Sequence, residues 1–213
     1  MVRIVRFLFF RVLVRTVVLL VLGLNVRHRE RLPGCGPAIL VANHNSHLDT
    51  MVLMTLFPWR QQQRIRPVAA GDYFLRNRLI AWFALRIIGI VPVDRSGRTP
   101  RAKLLDGVTA ALSAGDSVIV FPEGTRGQPE HLDEFKTGVF HLSRANPGVP
   151  VVPIFLHGLG KVLPRGEALL VPFFCDVFVG EAMEFTGERD DFMRCLSARM
   201  QALADEGRFP PWE

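Results

Sequence analysis

The chain has 213 residues, 49% of them hydrophobic, and a formal net charge of +6. That length sets one domain, or one domain with an appendage, and that apolar content excludes a disordered chain. The charge is zoned: residues 1–33 hold seven arginines and one glutamate, residues 60–103 hold ten basic residues against Asp72 and Asp94, and the rest is net acidic. A uniformly basic nucleic-acid surface is therefore not expected. Cys35, Cys175 and Cys195 are odd in number and lack C-x-x-C spacing, so free thiols in a reducing compartment are expected rather than a disulfide framework.

Residues 7–26 form an apolar window interrupted by Arg11 and Arg15 and preceded by Arg3 and Arg6. On an insertion scale the apolar residues each favour the bilayer by about 0.3–0.6 kcal/mol, and each internal arginine costs about 2.5–3.5 kcal/mol, so the sum is nearly balanced. The arginines make a loose stripe on a helical wheel. The segment reads as a helix lying in the membrane interface, or as a marginal tilted span. Arg27, Arg29 and Arg31 follow as a basic cluster expected to face anionic lipid on the cytoplasmic side. A cleaved signal peptide fits less well, because arginines break the apolar region and no small-x-small site follows Leu24. A helix docked on the domain is the alternative.

Pro33, Gly34 and Gly36 mark a linker, which divides the chain into a membrane-associating segment, 1–33, and a domain, 37–213. Residues 38–42 predict a buried strand, and 49–57 a helix closed by Pro58. Residues 65–70 predict a strand, 72–88 one helix ended by Gly89, and 90–93 a third strand. Thr99-Pro100 reads as a helix start and Gly115 as its end. Residues 117–121 predict a fourth strand, 135–145 a short helix, 149–156 and 175–179 two further strands, and 189–204 an amphipathic closing helix. This alternation predicts a three-layer α/β fold, with a largely parallel sheet flanked by helices and an N-terminal membrane-associating helix.

Chemistry concentrates after the first strand, in Asn43-His44-Asn45-Ser46-His47-Leu48-Asp49. On one continuous helix His44 and Asp49 would sit about 140° apart, but across a strand–turn–helix break they can meet. Such a break at the carboxyl end of a strand is where α/β proteins carry reactive groups. His47 is a rival for the same role; His44, His47 and Asp49 could be metal ligands, or an inert capped loop. The fourth strand ends in Phe121-Pro-Glu-Gly-Thr-Arg126, with Lys136 following. Arginine can grip a phosphate through paired hydrogen bonds, and glycine lets backbone amides approach it.

These stretches, with Val93-Asp94-Arg95 and Val149-Pro-Val-Val-Pro-Ile154, occur in the order of four motifs of the 1-acylglycerol-3-phosphate acyltransferase family. The chain resembles that family over roughly residues 37–180, with Gly127 where the family often has serine. The resemblance implies acyl transfer from acyl-CoA or acyl carrier protein, as a co-substrate, to a lysophospholipid hydroxyl, with lysophosphatidate giving phosphatidate. It implies no bound cofactor and no metal. His44 is implied as the base with Asp49 behind it. Arg95, Glu123, Gly124, Thr125, Arg126 and Lys136 are implied at the glycerol phosphate, and Val152 and Pro153 at the acyl chain. The expected location is the cytoplasmic face of a membrane, a bacterial inner membrane in the simplest case.

The chemistry is consistent with the residues themselves. A hydroxyl needs a base at neutral pH, a histidine titrates near 6.5, and a carboxylate on its second nitrogen fixes the tautomer. With no G-x-S-x-G elbow in the chain, direct attack by the substrate hydroxyl without an acyl-enzyme is expected. Other acceptors, such as another lysolipid, an amino-acid lipid or glycerol 3-phosphate, remain open at this point. A non-catalytic membrane- or nucleic-acid-binding protein would leave both motifs unexplained.

Overall fold

The computed structural model describes residues 1–209 except 21, 95–98, 101–102, 126, 128–131, 163–172 and 186. Its frame is a seven-stranded sheet in the order β1-β7-β6-β2-β5-β3-β4. The strands are β1 (Leu22–Arg27), β2 (Ile39–Ala42), β3 (Ile65–Ala70), β4 (Val91–Val93), β5 (Ser117–Val120), β6 (Val151–His157) and β7 (Phe173–Val179). Five run parallel; β7 reverses against β6, and β1 pairs parallel to β7. The sheet is thus mostly parallel and is mixed at one end.

The helices are α1 (Val2–Leu8), α2 (Arg15–Leu20), α3 (Leu48–Thr55), α4 (Trp59–Gln62), α5 (Gly71–Phe74), α6 (Arg78–Phe83), α7 (Asp106–Ser113), α8 (Gly138–Ala145), α9 (Leu159–Val162) and α10 (Arg189–Glu206). A π-helical stretch, Phe9–Val14, joins α1 to α2, and another, Ala84–Ile88, prolongs α6. Successive side chains of a strand point to opposite faces, and β2 shows the consequence. Leu40 and Ala42 pack with Phe10, Val14, Val52 and Leu53 on one side. Ile39 and Val41 pack with Val108, Leu112, Phe140, Phe192 and Leu196 on the other. Helices cover both faces, which gives the expected three layers.

Three local expectations need correction. The window 7–26 is not one helix: the helical run stops at Leu20, and Leu22–Arg27 enters the sheet as β1, alternately more and less buried along its length. Residues of the expected membrane segment therefore complete the sheet, and Phe10, Val14 and Val18 are core residues. Among the described residues no helix is long and apolar enough to cross a membrane. The single helix expected over 72–88 is broken at Asn77, whose carboxamide oxygen accepts from Leu79 N at 2.8 Å and Ile80 N at 3.4 Å as a cap of α6. Thr99 does not open α7; its N–H and hydroxyl donate to Asp94 Oδ2 at 3.0 and 2.8 Å, and α7 begins at Asp106. Gly115 does close that helix, at φ 82°.

Candidate active site

The centre of the site forms where β2 runs out. Beyond Ala42 the chain leaves the sheet, and Ser46 and Asp49 start α3: Leu48 N donates to Ser46 Oγ at 3.0 Å, and Asp49 N to Ser46 O at 3.1 Å. Asp49 is fully buried. Its Oδ2 accepts from His44 Nδ1 at 2.8 Å, Asn45 N at 2.6 Å and Ser46 N at 2.8 Å. Burial pushes the Asp49 carboxyl up from the ordinary carboxylate range, and the His44 ring and the two backbone N–H groups pull against it. The His44 ring lies nearly parallel on Phe121, with centroids 4.1 Å apart. With Nδ1 engaged by the carboxylate, Nε2 is the nitrogen His44 has to offer the space in front of it.

That space is a cavity of about 510 Å³. His44, His47, Phe121, Gly124 and Thr125 lie at one side of it, and Val68, Ala69, Phe74, Ile80, Phe83, Ala84, Ile88 and Ile90 make most of the remainder apolar. A polar, proton-transferring end and a long apolar end in one cavity suit a molecule with a reactive head and a hydrocarbon tail. His47 stands at the wall, while the Asp49 carboxylate is committed to His44. Among the described residues no three His, Cys, Asp or Glu are grouped as metal ligands would need to be.

The second motif-bearing loop, after β5, brackets His44 through its main chain. His44 N donates to Glu123 Oε2 at 3.3 Å, and Gly127 N donates to His44 O at 3.3 Å. Glu123 is only 4% exposed and does not line the cavity. The family resemblance placed it at the glycerol phosphate, holding an arginine or a glycerol oxygen; here one carboxylate oxygen turns to the backbone N–H of His44. Burial, helped by the nearby carboxylates of Asp133 and Asp49, pushes the Glu123 carboxyl up to about 8. Gly124 lines the cavity at φ 78°, a conformation that L side chains rarely adopt. A Cβ there would lie 2.6 Å from Lys136 Nζ, so the lysine head lies over this glycine. Lys136 N is itself tied to Pro122 O at 2.9 Å.

Arg95 and Arg126 lie outside the described residues. Val152 and Pro153 sit in β6, in register with Leu40 and Val41; they belong to the core and do not line the cavity. The apolar wall comes instead from β3, α5, α6 and the π-helical stretch after α6. Sequence reading missed that wall, although its signal was present: Leu79, Ile80, Trp82, Phe83 and Leu85 spread apolar side chains around α6 and the stretch that follows, too widely for one core-facing stripe.

Comparison with known proteins shows what the chain is similar to. A family model described as Acyltransferase matches residues 23–157. A chloroplastic 1-acyl-sn-glycerol-3-phosphate acyltransferase of Arabidopsis thaliana is 35% identical over 145 residues, covering 68% of this chain and 38% of the plant protein. The 1-acyl-sn-glycerol-3-phosphate acyltransferase of Pseudomonas aeruginosa is 28% identical over 183 residues, covering 85% of this chain and 67% of the bacterial one. The chain thus spans well under half the length of its plant relative. The crystal structure of the 1-acyl-sn-glycerophosphate acyltransferase PlsC from Thermotoga maritima superposes with a TM-score of 0.74 at 20% identity, covering 96% of this chain and 79% of that one, and so shares the fold. With the matched region running from β1 to the end of β6 and containing both loops that build the His44 site, the chain belongs to the acyltransferase family.

Proposed function

We propose that the protein transfers a fatty acyl group from acyl-CoA or acyl carrier protein to the free hydroxyl of lysophosphatidate, giving phosphatidate. The observation that carries this reading is the 2.8 Å contact between His44 Nδ1 and Asp49 at the polar end of an apolar cavity. His44 Nε2 takes the proton from the acceptor hydroxyl as its oxygen attacks the thioester carbon. Asp49 holds the ring and stabilises the imidazolium. The tetrahedral intermediate collapses, the C–S bond breaks, and the imidazolium proton goes to the leaving thiolate. Base catalysis of this kind contributes roughly a hundred- to ten-thousandfold. No enzyme nucleophile takes part, so no acyl-enzyme forms.

Lys136 over Gly124, with Thr125 beside it, supports a glycerol-phosphate site at this loop; the family resemblance adds Arg95 and Arg126. The apolar wall from Val68 to Ile90 supports an acyl-chain site there, rather than at Val152 and Pro153. The relatives' names support the choice of lysophosphatidate among possible acceptors. The exposed apolar side chains support residence at a membrane surface; Arg27, Arg29 and Arg31 are engaged instead by Glu206, Leu56 O and Glu181. Ile4, Phe7, Leu8, Val12 and Leu13 stand on the N-terminal helix, and Leu79, Trp82 and Leu85 on the α6 run. The two elements touch through Phe9 and Phe83, centroids 5.1 Å apart. Exposed apolar surface of this extent on adjoining elements is a mark of lipid contact.

The test is an acyl-transfer assay in detergent micelles with labelled acyl-CoA, repeated with acyl carrier protein, and a panel of lysolipids and glycerol 3-phosphate. Product from lysophosphatidate that is lost in His44→Ala is expected. Product from another acceptor alone would reassign the substrate, and activity retained in His44→Ala, or a trapped acyl-enzyme, would overturn the mechanism.

A further inference from the structure

Asn43 is completely buried, immediately precedes the base, and does not line the cavity. The ladder between β2 and β6 runs Ile39↔Val151, Leu40↔Val152, Val41↔Pro153, Ala42↔Ile154, and stops as the main chain turns away. The Asn43 side chain then takes the place of the next rung. Its Oδ1 accepts from Leu156 N at 2.7 Å, and its Nδ2 donates to Leu156 O at 2.9 Å. Asn45, on the other side of His44, donates its Nδ2 to the same Leu156 oxygen at 2.9 Å. A carboxamide is the neutral side chain that copies a peptide group, one donor beside one acceptor. The chain can therefore leave the sheet at His44 without orphaning the buried Leu156 amide or carbonyl.

We infer that Asn43 is a positioning residue for the acyl-transfer base: by replacing the missing β2–β6 rung with its carboxamide, it sets where His44 leaves the strand and so aims the imidazole at the acceptor hydroxyl. The inference rests on the reading of His44 as base. The His44 main chain is then fixed from two sides, by Asn43 against β6 and by Glu123 and Gly127 from the loop after β5. Asp49 fixes the ring and, through Asn45 N and Ser46 N, the main chain that follows it.

The experiment compares the full chain with Asn43→Leu, close to asparagine in size but without hydrogen bonds, Asn43→Asp, and His44→Ala, each assayed for kcat and KM over pH 6–9 with folding checked by circular dichroism. Displacing a reacting group by about 1 Å costs on the order of a hundredfold, so Asn43→Leu should lose ten- to a hundredfold in kcat with KM unchanged. In Asn43→Asp the protonated carboxyl can make both bonds, whereas the carboxylate meets Leu156 O with no donor. Its kcat relative to wild type should therefore be highest at pH 6 and fall towards pH 9, a trend that loss of packing alone would not produce. Wild-type kcat in Asn43→Leu, or a flat pH ratio in Asn43→Asp, overturns the inference. Should Asn43→Leu fail to fold, the Asn43→Asp ratio decides alone. Full activity in His44→Ala would instead bring down the base assignment and is read separately.

Discussion

Glu123→Gln isolates the energetic cost of keeping a carboxyl under the loop that carries His44. The Glu123 carboxyl is pushed from its ordinary value near 4.5 to about 8, chiefly by burial. Between those values the folded protein holds a proton that the unfolded chain has released. The folded pKa is the higher one, so this group's contribution to stability is complete below about pH 4.5, declines as pH rises, and is lost by about pH 8. A single proton taken up on folding gives a slope of about 1.4 kcal/mol per pH unit. From pH 5.5 to 7.5 the upper bound is therefore about 2.7 kcal/mol, and local relaxation lowers it to roughly 1–2 kcal/mol. Glutamine keeps an oxygen for His44 N–H but does not titrate, so the variant should lose less stability across this window by that amount. Urea unfolding in nonionic detergent at pH 5.5, 6.5 and 7.5 measures it, and titrating groups that do not interact with Glu123 cancel in the difference. Curves that stay parallel within about 0.5 kcal/mol would refute the buried, protonated carboxyl and with it the reading of Glu123 as an inward clamp.

Asp49→Asn should lower kcat by roughly a hundred- to ten-thousandfold. An amide cannot accept from His44 Nδ1 and two backbone N–H groups through one oxygen without facing its own NH₂ into a buried space; steady-state kinetics within tenfold of wild type would contradict this. Ala84→Phe fills the apolar wall at a residue only 2% exposed. Excluding two methylenes of a long acyl chain, at about 0.8 kcal/mol each, should reduce kcat/KM for that chain roughly fifteenfold against a shorter one; an unchanged chain-length profile would move the acyl site elsewhere. Leu79→Asp alters a side chain 79% exposed, so thermal stability should hold while binding to anionic vesicles weakens by roughly tenfold or more. Cosedimentation equal to wild type would remove α6 from the membrane-facing surface.

What was legible in the sequence had local, periodic causes. Strands β2 to β7 announced themselves as short apolar runs bounded by turn residues, and Gly89 and Gly115 marked helix ends that the structure confirms with φ of 84° and 82°. The polar run carrying His44, His47 and Asp49 was legible because a strand end followed by polar residues is a local pattern, while the choice of His44 over His47 came from the family resemblance. What escaped depended on distant partners. Leu22–Arg27 continues the apolar run of the helix before it, and only the presence of β7, some 150 residues later, makes a strand of it. Asn77 stops a helix whose apolar stripe continues past it, because its side chain bonds better as a cap than in a helix interior. Glu123 stood in a motif suggesting ligand contact, but the direction of a side chain off a loop is set by what packs beneath it. Asn43 looked like punctuation before the histidine; its task is visible only from Leu156.

The pairing of β1 with β7 has a consequence for how the molecule is made. During synthesis β1 precedes β7, its sheet neighbour among the described residues, by most of the chain, and such long-range contacts are slow to close because loop entropy is lost before any contact offsets it. The N-terminal helix, with its exposed apolar side chains and its arginines, is therefore made long before the sheet that will hold it is complete. The same arrangement makes residues 1–33 indispensable. Cutting them away would strip the edge strand from β7, leave a row of unpaired backbone groups, and open the sockets of Phe10, Val14 and Val18. A shortened chain intended to be more soluble should aggregate instead.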